Sequence, residues 1–293
     1  MDHEPETMYP VSIGANRDTN PVAYHRPMYA SSLRAAPGRL ARAFLAWLAS
    51  WWRVFHFGAK SLVMAASPSA YDRDTSSLMA RQIYFTAWQI LPGFAFVCAL
   101  LCYVVIRSMI LAANNYGLAD YALQIVVRVL VLELIPMFVA LFVALRSGAA
   151  INTEVALMHI RGDLAALQRA GDDPMRHQLV PRVVGSAVSV VALTVIGGSI
   201  ALLLAYVAMY GFSPGGAHDY THAIGQIFDL AVTLGLGLKA LFFGLAVAVI
   251  PITASLDAPR EMRYAPIAVL NGMVRLFMAL ALIEGASLAI KYI

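Results

Sequence analysis

Charged residues are scarce in this sequence. Lys, Arg, Asp and Glu make up 13% of the 293 residues, about half the share that is usual in a soluble domain. Hydrophobic residues make up 60%, and the mean hydropathy is +0.70. A soluble chain of this length has no interior large enough for so many apolar side chains, so part of its surroundings must be lipid. The composition therefore predicts an integral membrane protein.

Cysteine is also rare, and the familiar catalytic patterns are missing. Cys98 and Cys102 are the two cysteines, four positions apart in one apolar segment. This helical spacing does not suit a disulfide, so we interpret both as small buried hydrophobic side chains. The sequence shows no zinc-ligand spacing, no P-loop and no nucleophile elbow. We expect no catalytic residue, metal site or cofactor in this chain, and any energy for transport would come from another chain.

Residues 1–85 come before the apolar spans and divide into two parts. Residues 1–32 are polar and contain four prolines, which predicts a disordered cytoplasmic tail without a cleavable signal. Residues 33–85 are predicted to form amphipathic helices in the membrane interface; a soluble amphipathic helix docked on a partner is the alternative. The apolar side contains Phe44, Trp47, Leu48, Trp51, Trp52 and Phe55, and the polar side Arg39, Arg42, Ser50, Arg53 and Lys60.

Five long apolar segments follow in residues 86–293. Each has the roughly 20 residues that an α-helix needs to cross about 30 Å of hydrocarbon. All are too long for strands, so the fold class is an all-α integral membrane protein. The predicted spans are about 87–111, 121–145, 183–209, 228–252 and 266–290.

The distribution of Lys and Arg between the connections predicts the orientation. Residues 1–85 contain nine, 146–182 contain five and 253–265 contain two, whereas the two remaining loops, 112–120 and 210–227, contain none. The positive-inside rule therefore places the N-terminus in the cytoplasm and, with an odd number of spans, the C-terminus outside. Lys291 is the one basic residue on the outer side, too little to reverse this N-in/C-out prediction.

The stretch 146–182 is the longest connection between the spans, and the orientation places it in the cytoplasm. Apolar residues recur in it at near-helical spacing and stop before Gly171-Asp-Asp-Pro174, a pattern typical of a helix end. We predict a short cytoplasmic helix, at 152–170, that packs against the membrane surface, the base of the bundle or a cytoplasmic partner. Its apolar residues are Val155, Met158, Leu164 and Leu167.

Charged side chains inside the apolar segments are candidates for function. A charge at the centre of a bilayer costs roughly 2.5–3.5 kcal/mol on insertion scales, so each needs a partner or water. Lys239 and Glu133 lie near the middle of their spans. Each either contacts a lipid headgroup or forms a structural pair between helices. The other charged residues of the spans are Arg107, Arg128, Arg275 and Glu284.

A set of short landmarks occurs in a fixed order along the chain. Upstream stands Glu133-Leu-Ile-Pro136, and downstream Leu238-Lys239-Ala-Leu-Phe-Phe-Gly244. Between them the landmarks are Ser147-Gly-Ala-Ala150, Glu154, Met158, Ala166-Leu167, Gly171, Asp173-Pro174, Arg176 and Val180-Pro181-Arg182. Taken in order, they resemble the MlaE-type permeases, the membrane subunits of ABC transporters that move lipids in Gram-negative envelopes. The resemblance covers about residues 75–290.

The chain departs from the family pattern at three places. Leu132 stands where the family has an Arg directly before the acid at Glu133, and Leu145 stands where it has a Gly. Arg161-Gly162 replaces the family's Thr-Glu in the cytoplasmic helix. The first difference bears on contacts with a lipid headgroup, and the last bears on the surface offered to an ATPase.

The resemblance implies a location and a set of partners. It implies a homodimeric permease, with residues 86–293 as its permease domain, in the bacterial inner membrane. A cytoplasmic ABC ATPase, which would bind ATP and Mg²⁺, and a periplasmic MCE-domain protein would be its partners; no nucleic acid is expected. Phospholipid or a related lipid would occupy a cavity between two copies.

The resemblance also implies two groups of site residues. The cytoplasmic helix between spans 2 and 3 would be the coupling helix that meets the ATPase. Candidate lipid-contacting residues are Val105, Tyr116, Arg128, Glu133 and Lys239. Candidate ATPase-coupling residues are Glu154, Met158, Arg161, Asp163, Leu167, Asp173 and Pro174.

Two other classes of function stay open. An ion-coupled secondary transporter would use Glu133 and Lys239 without an ATPase, although five spans with no evident repeat argue against it. A membrane scaffold without transport would tolerate the loss of both residues, provided that it folds. Purification from native membranes separates these three hypotheses. Only the lipid-transporting ABC permease predicts that both an ATPase and a bound lipid co-purify with the chain.

Overall fold

The computed structural model describes residues 36–67, 73–259, 261–262 and 265–292. All regular structure among them is helical, which confirms the all-α prediction. The predicted tail 1–32 lies outside the described residues. The chain divides into two units, Met1–Leu48 and Ala49–Ile293. In the first unit the structure describes the beginning of helix α1 (Ala36–Ala66), where the side chains of Leu45, Trp47 and Leu48 are exposed.

The second unit contains the rest of α1 and all later elements. Several of its helices join through wider π-helical turns, at Tyr84–Trp88, Val127–Leu134, Ala144–Gly148 and Met175–Leu179. Short 3-10 turns lie at Ala119–Tyr121 and Pro214–Gly216. The helices are α2 (Arg73–Ile83), α3 (Leu91–Asn115), α4 (Ala122–Val126), α5 (Ile135–Val143), α6 (Ala149–Arg161), α7 (Asp163–Arg169), α8 (Val180–Tyr210), α9 (Ala217–Ile227), α10 (Leu230–Leu256) and α11 (Ala265–Tyr292).

Within the described residues, five helical stretches are long and apolar enough to cross a membrane, which confirms the number of predicted spans. The first three continue beyond the predicted spans at one end of the bundle. That end carries Arg81, Arg146 and Arg182, and we call it the basic end. The five stretches are Thr75–Asn115, Ala122–Arg161, Met175–Tyr210, Leu230–Leu256 and Ala265–Lys291.

Helices α8 and α10 form the centre of the second unit. Helix α8 packs against α2, α3, α5 and α10, and α10 also packs against α5, α6 and α11. The two central helices approach closely at Gly244, where a Cβ atom would lie 2.7 Å from the Cα of Ala187. Small residues permit such close helix packing in membranes, so Gly244 fixes the separation of α8 from α10, the helix that carries Lys239 of the site described below.

The stretch 146–182 contains two helices where the sequence predicted one. Helix α6 continues the second membrane stretch and packs against α10 and α11. It ends at Gly162, whose φ of 81° lies in the left-handed region that glycine adopts without strain. Helix α7 then starts at Asp163. The apolar pattern therefore divides, with Val155 buried on α6 and Leu167 half-buried on α7.

The second half of α1 contacts the bundle through both polar and apolar side chains, and Val54 and Phe57 lie in or against the hydrophobic core. Arg53 donates two hydrogen bonds to Asp257, with Nε–Oδ1 and Nη2–Oδ2 distances of 2.9 and 3.0 Å. Ser50 is buried and accepts a hydrogen bond of 2.6 Å from Arg275. On the opposite side, Trp52 and Phe55 are exposed. Trp51, which the sequence pattern assigned to the apolar side, packs against the core beside Ser50, and the amphipathic character of α1 stays a prediction.

Candidate functional site

Four charged side chains from three membrane stretches meet inside the bundle. Lys239 of α10 forms an ion pair with Glu133 of the second stretch, and its Nζ lies 2.8 Å from a carboxylate oxygen of Glu284 on α11. Lys291, near the end of α11, donates a 2.7 Å hydrogen bond to the other carboxylate oxygen of Glu133. Glu133 therefore bridges two lysines, and Lys239 bridges two carboxylates. We call these four residues the charge cluster.

Local structure explains how the charge cluster assembles. Glu284 and Lys291 are seven positions apart, which places them on nearly the same face of α11. Glu133 lies in the π-helical turn Val127–Leu134. Such wide turns shift the side chains that follow them relative to a regular helix and occur often at functional sites. Close packing of α10 and α11 then brings Lys239 between the two acids.

The charge cluster is electrically balanced and largely shielded. Two acids and two bases give no net formal charge, and the Lys239 side chain is 5% exposed. Its ammonium group also lies 3.4 Å from the carbonyl oxygen of Leu132 and 5.9 Å from the ring centre of Phe243. A buried ammonium is stable only with such partners, because removal from water costs several kcal/mol per ion. The balance explains how these charges persist among apolar helices.

A cavity of about 640 Å³ opens beside the charge cluster. Its volume lies within the range of pockets that hold drug-sized ligands. Polar groups are confined to one part of the lining, and aliphatic and aromatic side chains form the rest. Such a cavity suits a ligand with one charged end and one apolar end. The lining residues are Leu132, Glu133, Ala231, Val232, Gly235, Leu236, Leu238, Lys239, Phe242, Ile283, Ala286, Ser287, Ile290 and Lys291.

The structure brings together two of the five predicted lipid-contacting residues. Glu133 and Lys239 line the cavity and pair with each other. Val105 packs against the hydrophobic core, Tyr116 is 81% exposed, and Arg128 is exposed. None of these last three lines the cavity beside the charge cluster. A lipid contact for each of the five stays a prediction.

Sequence reasoning did not include Glu284 and Lys291 in the site. Glu284 was noted as a charge in the last span, and Lys291 only as a basic residue near its end. Their spacing of seven residues on one helix was the available signal. Within the described part of the chain, no group of His, Cys, Asp and Glu side chains has the geometry of a metal site.

The predicted ATPase-coupling residues lie on α6, on α7 and in the turn after them. Glu154 forms a 2.7 Å ion pair with Arg182. Arg161 and Asp163 are exposed on either side of the break at Gly162. Asp173 is also exposed and accepts a 3.0 Å hydrogen bond from the backbone of Met175. Of the others, Met158, Leu167 and Pro174 are half-buried. Their role in coupling stays a prediction.

Comparisons with known proteins identify the family. The model of the family described as permease MlaE matches residues 79–289. A probable ABC transporter permease protein of Rickettsia conorii is 28% identical over 196 residues, which cover 66% of this chain and 75% of the relative. A protein of the same description from Rickettsia prowazekii is 27% identical over 175 residues, covering 59% and 67%. The chain therefore belongs to the MlaE family and is an ABC transporter permease subunit.

Proposed function

We propose that this permease moves phospholipid or a related lipid between the bacterial inner membrane and a periplasmic ring of MCE-domain protein. It acts as a homodimer and is driven by a cytoplasmic partner ATPase. The observation that carries the proposal is the cavity of about 640 Å³ with apolar walls and the charge cluster at one side. Lipids have this same division into an apolar body and a polar headgroup.

The depth of the charge cluster supports a role in lipid extraction. At 1.5 Å per residue, Lys239 lies about 14 Å from the start of α10, and Glu133 about 16 Å from Ala122. Both positions lie within the hydrocarbon layer, well below the headgroup region. Lysine ammonium groups there would attract a lipid phosphate, and Glu133 or Glu284 a lipid amine. A headgroup at this depth has left its usual position in the bilayer.

The continuity of the second membrane stretch supports coupling to an ATPase. Helical structure runs from Ala122 to Arg161, so it contains both Glu133 and α6. A helix transmits displacement along its axis because its hydrogen bonds make it stiff. In our proposal, the ATPase pushes on the exposed turn around Gly162, and the movement reaches the charge cluster. Lys239 then exchanges partners as the cavity closes.

The placement of α1 follows the same proposal. We place the exposed side of α1, with Trp52 and Phe55, in the cytoplasmic membrane interface, where tryptophan and arginine are both favoured. The ion pair between Arg53 and Asp257 holds α1 against the bundle at that depth. This placement agrees with the N-in orientation that the Lys and Arg distribution predicts.

The ATPase contact is tested by reversing the charges at the α6–α7 break. Arg161→Glu and Asp163→Lys together should release the ATPase during purification, because both side chains are exposed there. Asp219→Lys, an exposed acid on α9, is the matched control and should leave the complex intact. A double variant that still co-purifies with a fully active ATPase would show that the contact is elsewhere.

The function as a whole is tested by purification from native membranes with mass spectrometry of proteins and lipids. The proposal predicts an ABC ATPase, an MCE-domain protein and bound phospholipid. The charge cluster itself favours one alternative, an ion-coupled transporter, because paired acids and bases in spans often serve proton relays. Transport without an ATPase, driven by an ion gradient, would support that alternative and refute the proposal.

A further inference from the structure

A second cavity, of about 340 Å³, lies at the basic end of the bundle. It is separate from the charge cluster and shares no lining residue with the first cavity. Three arginines line it: Arg81 of α2, Arg146 of the turn after α5, and Arg182 of α8. Glu154 is the one acid in the lining. Three positive charges and one negative charge leave the lining at +2, so it attracts anions.

The three arginines are held in different ways. Arg182 is fixed by hydrogen bonds to the carbonyl oxygen of Gln178, at 2.8 Å, and to Glu154, at 2.7 Å. The guanidinium of Arg81 lies 5.6 Å from the ring centre of Phe85. Arg146 is exposed and makes no hydrogen bond or ion pair with the described residues. One arginine is thus pre-oriented, and another is available to bind.

The cavity lies at the depth of lipid headgroups. Arg146 follows Ala122 by 24 positions, which corresponds to about 36 Å along a helix. The hydrocarbon layer is about 30 Å thick, and the bilayer with headgroups about 40–45 Å. Near the cavity, Tyr84 is 53% and Trp88 67% exposed. Exposed Tyr and Trp are enriched at this interface, so two independent features give the same depth.

We propose that this cavity binds the phosphate of an anionic phospholipid from the adjacent leaflet. Guanidinium groups bind phosphate oxygens in pairs of parallel hydrogen bonds, which an ammonium group does not reproduce. Arg146 and Arg81 hold the phosphate, Arg182 adds a fixed positive charge, and Phe85 offers an apolar exit for the acyl chains. The site stands apart from the proposed transport cavity and does not depend on it. Free inorganic phosphate shares the same chemistry.

The test measures binding of phosphatidylglycerol and phosphatidylcholine to the purified full-length chain in detergent micelles, by native mass spectrometry. The wild-type chain should retain phosphatidylglycerol in preference to phosphatidylcholine. Arg146→Ala and Arg81→Ala should each weaken phosphatidylglycerol binding by about tenfold, the loss expected for one charge-assisted contact. Arg169→Ala is the matched control, because it removes the same charge at the same end outside the cavity.

The outcomes separate the possible ligands. Retention of phosphatidylglycerol in the presence of equimolar inorganic phosphate assigns the site to the lipid; retention of inorganic phosphate in place of the lipid assigns it to free phosphate and overturns the lipid proposal. Wild-type phosphatidylglycerol binding in both cavity variants overturns the proposal. So does normal lipid binding combined with loss of the partner ATPase, which would assign the arginines to a protein contact. Arg146 has an exposed side chain, and thermal melting checks that its variant is folded.

Discussion

The two cavities use the same kinds of charged residue in opposite ways. Beside α10 and α11, two lysines and two glutamates pair with one another, and the Lys239 side chain is 5% exposed. At the basic end, three arginines face a single glutamate, Glu154, whose side chain is 58% exposed. One cavity cancels its charge internally, and the other keeps a surplus of positive charge.

In our proposal, the depth of each cavity in the membrane explains this difference. Within the hydrocarbon layer no water or counterion is available, so an unpaired charge costs several kcal/mol and internal pairing is required. At headgroup level, water and lipid phosphates supply partners, and a surplus of arginine is tolerated. In our proposal, pairing in the deep cavity stabilises the fold and frames the lipid site, whereas the shallow cavity has a surplus of positive charge with which to bind phosphate.

Among the variants of the charged residues, substitution of Lys239 should lower the free energy of unfolding most. Lys239→Met leaves Glu133 and Glu284 without their shared partner. Removing one partner of a buried ion pair lowers the free energy of unfolding by about 3–5 kcal/mol, because the other charge stays buried without compensation. Unfolding by denaturant in detergent measures the loss. Adding Glu133→Gln and Glu284→Gln to this variant should recover part of the stability, because the orphaned charges are then removed. A single variant as stable as wild type would contradict the account of the charge cluster.

The two glutamates of the charge cluster should differ in their contributions to stability. Glu133→Gln removes a carboxylate that contacts both lysines, whereas Glu284→Gln removes one that lies 2.8 Å from the Lys239 ammonium. We expect Glu133→Gln to lower the free energy of unfolding by about 1–3 kcal/mol. Glu284→Gln should lower it by less. The same unfolding experiment ranks them, and the reverse order would mean that Glu284 is the main partner of Lys239.

The ion pair at the basic end should matter least for stability. Glu154→Gln breaks a pair whose acid is mostly exposed, and such pairs contribute about 0–1 kcal/mol. High salt should shrink this small effect further and leave the effect of Lys239→Met unchanged, because salt screens exposed charges more than buried ones. If salt changed the stability effects of Glu154→Gln and Lys239→Met equally, the two cavities would not differ in how far their charges are shielded from solvent.

Much of the fold could be predicted from the sequence, because lipid solvation imposes long apolar segments. The five spans, and the expectation that Glu133 and Lys239 need partners, followed from hydropathy and from the cost of charge in hydrocarbon; the structure pairs these two residues with each other. The membership of Glu284 and Lys291 did not follow, because composition does not indicate which face of the last span turns toward α10. That choice depends on packing at positions such as Gly272 of α11, where a Cβ atom would lie 3.1 Å from the Cβ of Ala254 on α10.

Two local features escaped prediction for different reasons. The π-helical turn Val127–Leu134, which positions Glu133, contains no Gly or Pro that would mark it. The break between α6 and α7 has a visible signal in Gly162, but the apolar spacing continued across it and favoured one helix. Periodicity describes which residues share a face only while the helix axis stays continuous.

The central claim is that the cavity beside the charge cluster carries lipid, and a matched pair of glycine variants tests it most directly. Gly235 lines the cavity, Gly237 does not, and a Cβ atom at either position would have no neighbour within 4 Å. ATP-driven lipid transfer is measured in liposomes that contain the permease and its partners. The account predicts that Gly235→Trp, which places a bulky side chain in the cavity, abolishes transfer, whereas Gly237→Trp preserves it. Transfer by Gly235→Trp at the wild-type rate would contradict the account.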